Sequence, residues 1–322
     1  MHILIMPGLT FPTPTEVELE RVRSAAGPQA RVTVVADVDD AVAAAADVEV
    51  ILGLVPRKLL MAAPQLRWVH AIASGVDMFL YPEFIQSNVL LTSEKGLVGE
   101  HLADHAFGLL LALTRKITAA QALGAEAWRY REALRRDEME LTGSVMGIIG
   151  LGGTGRAMAR RAAAFGMRCL AVDVDAVPTC AEVDAVWPSA RLPELLAQAD
   201  VVAVCCPLTP ETRGLLDGPM LANCKRGAFL VNVTRGEVMH EAALIAALTD
   251  GRLRGAALDV APREPLPAES ALWRLPNVVM TPHTAGASQF RAARNLARFI
   301  DNLEHLRRGD PLDGQVDQRR GF

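Results

Sequence analysis

Residues 147–155 read GIIGLGGTG, an apolar run that stops at Gly150, Gly152, Gly153 and Gly155 and passes into the helix-patterned RAMARRAAAF. Strand, glycine turn and helix in that order restrict the fold more than any other stretch of this chain. Gly150 permits a sharp turn, Gly152 lets a pyrophosphate approach the backbone with no Cβ in the way, and Gly155 lets the helix lie close on the strand. The amides of the first helical turn, around Gly153 and Thr154, then point at the phosphates. The next apolar run, RCLAVD, ends at Asp173, about twenty residues on, where a carboxylate accepts hydrogen bonds from an adenosine ribose. Its charge repels a 2'-phosphate, and VDVDAV supplies no Arg or Lys to receive one. The expected cofactor is NAD, with NADP disfavoured.

Such a turn needs a parallel sheet around it, and the chain supplies runs for two. HILIMPG, RVTVVAD, VEVILGL, LRWVHAIASG and NVLLTS form a first series. SVMGIIGL, RCLAVDVD, DVVAVCC, AFLVNVT, GAALDV and NVVMTPH form a second. Ala/Leu-rich helical stretches separate them, one of which starts near Pro14 and Thr15. This alternation is the signature of an α/β protein with parallel sheets covered on both faces. With 322 residues, 51% of them hydrophobic, the chain suits two domains of ordinary size. Between the series, the helix from Glu100 (EHLADHAFGLLLALTRK) is apolar nearly all round, which fits either a core or a subunit interface. The polar, basic end DGQVDQRRGF is expected to be poorly ordered.

The formal net charge of -4 gives no electrostatic reason to expect nucleic acid or an anionic membrane as a partner. Five cysteines, odd in number and without CxxC, read as reduced thiols in a cytoplasmic protein. MHILIMPGL has too short an apolar stretch and too little positive charge for a secretory signal, and no later run reaches membrane-spanning length.

In an open α/β sheet, ligands lie outside the carboxyl ends of the strands. AFLVNVT is followed by Arg235; GAALDV contains Asp259 and is followed by Glu264; NVVMTP is followed by His283. A cation, a carboxylate and an imidazole at the edge that binds the nucleotide suit hydride transfer to or from a small hydroxy acid. Reduction of a 2-keto acid turns the carbonyl oxygen into an alkoxide that must take a proton, and His283 can give it. Glu264 on the other ring nitrogen would fix the tautomer. Arg235 would hold the substrate carboxylate or carbonyl oxygen with a planar fork.

GLGGTGRAMARRAAAFGM, CCPLTPETRGLLD, LVNVTRGEVMHEAAL, GAALDVAPREPLP and NVVMTPHTAGAS occur in that order, and together they resemble the D-isomer-specific 2-hydroxyacid dehydrogenases from about residue 48 to residue 300. The resemblance implies a Rossmann-type dinucleotide domain, residues 99–286, inserted into a flavodoxin-like substrate domain, residues 1–98 and 287–322, with closure of the two about a hinge. It implies that Arg235, Glu264 and His283 are catalytic and that Asp259 lies near the nicotinamide carboxamide. Pro207, Thr209, Thr234 and Gly286 join the cofactor site, while the backbone around Ser74, Gly75 and Val76 takes the substrate carboxylate. It also implies a homodimer built on the helix after Glu100. Departures from the family pattern are Thr154 for an apolar residue, VMHEAAL for a commoner Val-Asp-Glu pattern, and Ala261 for a frequent aromatic. The implied substrate is a small 2-keto acid such as glyoxylate, hydroxypyruvate or pyruvate.

Other readings use the same residues. Phosphite oxidation could employ the same trio; a formate dehydrogenase is expected to carry Gln at position 264. A dinucleotide-sensing corepressor-like protein would keep the site and act through partners. His101 and His105, at i and i+4, have metal-ligand spacing but no evident third ligand, so no metal is expected. Arg57 and Lys58 either meet an anionic substrate or face solvent, and Cys205 and Cys206 fall near the expected adenine.

Overall fold

A computed structural model describes residues 1–322, which divide into two compact units, Met1–Val98 with Ala287–Phe322, and Gly99–Gly286.

In the first unit, β1 (His2–Ile5), β2 (Arg31–Val34), β3 (Val50–Leu52), β4 (Trp68–His70) and β5 (Leu90–Thr92) form a wholly parallel sheet in the order β2-β1-β3-β4-β5. Strands β1, β3 and β4 are buried throughout, which is why they read as apolar runs interrupted only by His2 and His70 at their ends. The helix Glu16–Ala26 starts where a capping box sets it: Glu18 N donates to Thr15 Oγ1 at 3.3 Å and Thr15 N to Glu18 Oε2 at 2.8 Å. The last helix, Arg291–Arg308, returns to this unit. It buries Leu296, Phe299 and Leu303 with Ile3, Ile5 and Trp68, and the Phe299 and Trp68 rings stack with centroids 5.1 Å apart.

The expectation of a loose carboxyl end fails. Residues 313–318 lie along the free edge of β5: Ser93 N donates to Gly314 O (3.0 Å), Val316 N to Leu91 O (2.9 Å) and Gln318 Nε2 to Val89 O (2.5 Å). The tail reads as polar because only Val316 turns inward; its order comes from backbone groups that an edge strand would otherwise leave unpaired.

His70, at the end of β4, is wholly buried, and its Nδ1 lies 2.6 Å from Thr92 Oγ1. Burial, with a smaller contribution from the charge of Arg298, pushes its pKa down from 6.5 to about 3. The unfolded chain takes up this proton near 6.5 and the folded chain only near 3, so the contribution to stability is complete above that window and is lost as pH falls through it. The loss should reach the order of 4 kcal/mol. Denaturant titrations of the parent and a His70→Gln variant should therefore show a shallower acid decline in the variant between pH 6.5 and 4. Parallel declines would mean that this ring does not govern acid stability.

In the second unit, β6 (Val145–Ile149), β7 (Arg168–Asp173), β8 (Ala185–Pro188), β9 (Val201–Val204), β10 (Ala228–Asn232), β11 (Leu253–Leu258) and β12 (Val278–Met280) are parallel in the order β12-β11-β10-β9-β6-β7-β8. The order reverses between β6 and β9, and in open parallel sheets ligands bind outside the carboxyl ends of the strands at such a reversal. Strand β8 escapes the sequence reading because it is four residues long, only partly buried and closed by Pro188. Proline is tolerated there because β8 is an edge strand. The helix Gly99–Thr114 buries Ala103, Ala106, Phe107, Leu110 and Leu113 in this unit's own core, against the helix Gly153–Ala164 and β10 to β12. No single helix is long and apolar enough to cross a membrane.

Candidate active site

The glycine turn is built by close approach. Gly150 has φ 93°, and a Cβ there would stand 2.9 Å from Cys206 N, so only glycine lets the ends of β6 and β9 meet. A Cβ at Gly155 would overlap the carbonyl oxygen of Gly150, whereas nothing lies within 4 Å of one at Gly152. Gly152 is the residue before the helix Gly153–Ala164. Open space therefore faces the turn where a diphosphate would approach, beside the unpaired amides of the first helical turn around Gly153 and Thr154. Gly99, which carried no signal in the sequence, seats its helix against this turn, since a Cβ there would come 2.5 Å from Gly153 O.

Asp173 ends β7 and holds the turn in place: its Oδ2 accepts from Leu151 N at 2.7 Å and its Oδ1 from Asp175 N at 3.0 Å. Two carboxylate oxygens have room for further donors, so these bonds leave capacity for ribose hydroxyls. After β9, Thr212 Oγ1 donates to Pro207 O (2.7 Å) and accepts from Thr209 N (2.8 Å), closing a small loop beyond the carboxyl end of that strand. Burial pushes the Cys206 thiol up to about 12, and Cys205 moves in the same direction, so neither is a nucleophile at neutral pH.

Three neighbouring strand ends carry the other polar groups. After β10, the buried Asn232 side chain folds back on its own loop. Its Oδ1 accepts from Thr234 N and Oγ1, both at 3.0 Å, and its Nδ2 donates to Arg235 O at 2.9 Å. Arg235 Nη1 donates to Thr234 O at 3.0 Å. Gly236 packs so tightly on Ala261 that a Cβ would overlap the Ala261 carbonyl, which joins the β10 loop to the β11 loop. Glu264 Oε1 accepts from Ala261 N (3.0 Å) and Oε2 lies 2.6 Å from His283 Nδ1. A carboxylate at this distance is an acceptor, so Nδ1 carries the proton and Nε2 is left for other chemistry. His283 itself sits at φ 55°, a region that non-glycine residues seldom occupy.

The loop that carries His283 is bonded to Asp259. Its carboxylate is 1% exposed and faces inward: Oδ1 accepts from Thr281 Oγ1 (2.5 Å) and Thr284 N (2.9 Å), and Oδ2 from Ala285 N (2.7 Å). Its carbonyl accepts from His283 N at 2.8 Å. These bonds tie Asp259 to the segment of residues 281–285, which leads to Gly286. Behind it, His105 Nε2 lies 2.7 Å from Thr281 Oγ1. The single hydroxyl proton of Thr281 goes to the carboxylate, so His105 Nε2 must be a donor. His105 thereby buttresses the loop from the helix Gly99–Thr114. Asn232 and Thr281 went unnoticed because isolated polar residues at strand ends have no distinctive sequence signal.

Ser74, Gly75 and Val76 belong to the first unit, in the turn after β4. The turn is anchored by Glu94 N, which donates to Ala73 O at 3.2 Å. The Glu94 side chain, 1% exposed, accepts from Arg291 Nη2 at 2.5 Å and from Asn295 Nδ2 at 3.0 Å. Arg57 pairs with Glu83 and Lys58 with Asp39, each at 2.6 Å, on the surface.

Residues 107–285 match the family model described as D-isomer specific 2-hydroxyacid dehydrogenase, NAD binding domain. A glyoxylate reductase of Korarchaeum cryptofilum is 35% identical over 274 residues, 80% of this chain and 78% of that protein. A glyoxylate/hydroxypyruvate reductase A of Escherichia fergusonii is 33% identical over 272 residues, 82% of this chain and 84% of that one. A D-isomer specific 2-hydroxyacid dehydrogenase of Xanthobacter autotrophicus Py2, solved in complex with NADPH and MES, superposes with a TM-score of 0.81 at 28% identity, covering 100% of this chain and 99% of the other. With glycine turn, strand-end residues and sheet order in place, these matches establish that the chain belongs to the D-isomer-specific 2-hydroxyacid dehydrogenase family.

Proposed function

We propose that this protein reduces a small 2-keto acid to the corresponding D-2-hydroxy acid with a nicotinamide dinucleotide. The observation that carries the reading is the Glu264–His283 pair: one carboxylate oxygen is pinned by Ala261 N and the other is 2.6 Å from His283 Nδ1, at a strand end in the sheet that bears the glycine turn. A bound nicotinamide supplies the hydride for the carbonyl carbon. The chain supplies the rest. Protonated His283 gives its Nε2 proton to the oxygen that gains negative charge, and Glu264 stabilises the imidazolium until then. In the reverse direction, neutral His283 takes the hydroxyl proton. Arg235 offers two parallel donors to the substrate carboxylate or carbonyl oxygen. The backbone of Ser74, Gly75 and Val76 is suited to a carboxylate, since successive amides in a turn form an anion nest.

NAD is the preferred cofactor in this reading, because the charge of Asp173 at the end of β7 would repel a 2'-phosphate on a ribose bonded to it, and Val174, 66% exposed, brings no positive charge. NADPH in the Xanthobacter relative makes the preference worth testing directly. Asp173→Ala should weaken NADH binding by about tenfold, the loss expected for charge-assisted hydrogen bonds, and narrow the discrimination against NADPH. Fluorescence titration with both nucleotides reads this, and unchanged constants would remove Asp173 from the site. A panel of 2-keto acids followed with NADH and NADPH at the nicotinamide absorbance band tests the activity itself; no turnover with any of them would end the proposal.

The protein is also read as a homodimer in a reducing compartment, the cytoplasm. All five cysteines are free, and residues 117–137 bury no side chain within the chain while exposing Ile117, Trp128 and Tyr130. A monomeric mass by light scattering would contradict the dimer.

A further inference from the structure

His283, at φ 55°, is the middle residue of the segment 281–285, and donors on both sides of it converge on the buried Asp259 carboxylate. Thr281 Oγ1 (2.5 Å) and Thr284 N (2.9 Å) reach Oδ1, and Ala285 N (2.7 Å) reaches Oδ2. Asp259 is itself fixed from the neighbouring strand, since its N donates to Asn232 O at 2.9 Å, and the Asn232 side chain holds the loop of Arg235. The orientation of this one carboxylate is thereby coupled to the backbone that carries the imidazole, and proton transfer is sensitive to the aim of its donor.

Of the three donors, the amides of Thr284 and Ala285 cannot turn without moving the chain, whereas a hydroxyl rotates about its C–O bond. The Thr281 hydroxyl is held from its other side. His105 Nε2 lies 2.7 Å from Thr281 Oγ1 and 3.5 Å from Asp259 Oδ1. An N–H placed on the lone pair of Thr281 leaves the hydroxyl proton directed at the carboxylate, and hydrogen bonds in such a chain polarise and strengthen one another.

The helix has little structural use for a histidine at this position. Ala103, Ala106, Phe107, Leu110 and Leu113 seat the helix Gly99–Thr114 in the core, while the His105 side chain is 25% exposed. Histidine is also a weaker helix former than leucine or glutamine. What the ring adds is a directed N–H, delivered to Thr281 from a different element of the same unit.

We propose that His105 and Thr281 are positioning residues for proton transfer by His283. The N–H of His105 fixes the Thr281 hydroxyl, the hydroxyl fixes the Asp259 carboxylate, and the carboxylate fixes the segment that bears the imidazole. Neither residue touches the reacting atoms. The assignment rests on the keto-acid reduction proposed above and extends its machinery to the helix that precedes the nucleotide-binding sheet.

Steady-state kinetics and NADH titrations on the parent, His105→Leu, His105→Gln, Thr281→Val and the His105→Leu/Thr281→Val double variant test this, with the best substrate of the 2-keto acid panel. His105→Leu should lower kcat by about ten- to thirtyfold, less than the hundredfold that a 1 Å misplacement of a reacting group can produce. The keto-acid KM and NADH affinity should stay within about twofold of the parent, the split expected when only the transition state is affected. Glutamine offers an Nε2–H at similar reach, so His105→Gln should recover the rate to within about threefold of the parent. In the Thr281→Val background, His105→Leu should lower kcat by no more than about twofold, because the group through which it acts is already gone. Unchanged kcat in His105→Leu, equal losses in the leucine and glutamine variants, a loss confined to NADH affinity, or an undiminished effect in the Thr281→Val background overturns the positioning role and leaves the 2-keto acid reductase standing. Absence of parent turnover with every 2-keto acid and either nucleotide overturns both.

Discussion

His283→Asn is expected to lower kcat for keto-acid reduction by about a thousandfold, within the 10²–10⁴ that a positioned proton donor contributes, while leaving NADH affinity close to that of the parent. Asparagine is the informative replacement because position 283 has φ 55°, which asparagine adopts far more readily than alanine. It keeps the backbone bond from residue 283 N to Asp259 O, 2.8 Å long, and removes only the group that can carry a proton at Nε2. Pre-steady-state absorbance should show the hydride step itself slowed. Retained turnover with lost nucleotide binding would reverse the assignment and make His283 part of the cofactor pocket.

Arg235→Lys is expected to reduce kcat/KM by about 10²–10³, comparable to removing one preorganised donor from an oxyanion site, even though the charge is kept. An ammonium is a point charge on a flexible stem and cannot present two parallel N–H groups in one plane. The loop around it is rigid: Asn232 binds Thr234 through Oδ1 and Arg235 O through Nδ2 at 2.9 Å, so the backbone has little freedom to bring lysine into register. Steady-state kinetics across the keto-acid panel measures this. A loss smaller than about threefold would reduce Arg235 to a source of positive field, of the size expected for an exposed charge.

Much of the fold is legible because short runs of sequence carry it. The buried strands β1, β3, β4, β6 and β9 are continuous apolar runs since both of their faces are covered, and Thr15 with Glu18 encodes a helix start within four residues. The glycine turn is legible for the same reason: Gly150, Gly152 and Gly155 answer to backbone constraints within a single strand-turn-helix unit. Strand β8 leaves no sequence signal because an edge strand of four residues needs neither continuous apolarity nor freedom from proline. The order of the carboxyl-terminal tail is not legible in its own residues because it is supplied by β5, more than 200 residues away in the chain.

The site shows the same division. Arg235, Glu264 and His283 stand out as polar groups after apolar strands, but their supports do not. Asn232 hides inside the run AFLVNVT, and His105 displays only its i and i+4 spacing from His101. The contact of His105 with Thr281 spans 176 positions, and that of Thr281 with Asp259 spans 22.

From the sequence alone come the parallel α/β class, the nucleotide-binding turn and the residue types available for proton transfer and anion binding, because each depends on neighbours along the chain. Tertiary structure alone bonded the buried Asp259 carboxylate to Thr281, Thr284 and Ala285 and tied the tail to β5. Hydrogen bonds and packing between distant segments are set by which strands lie side by side, and the order β2-β1-β3-β4-β5 is a property of the folded sheet, not of any stretch within it.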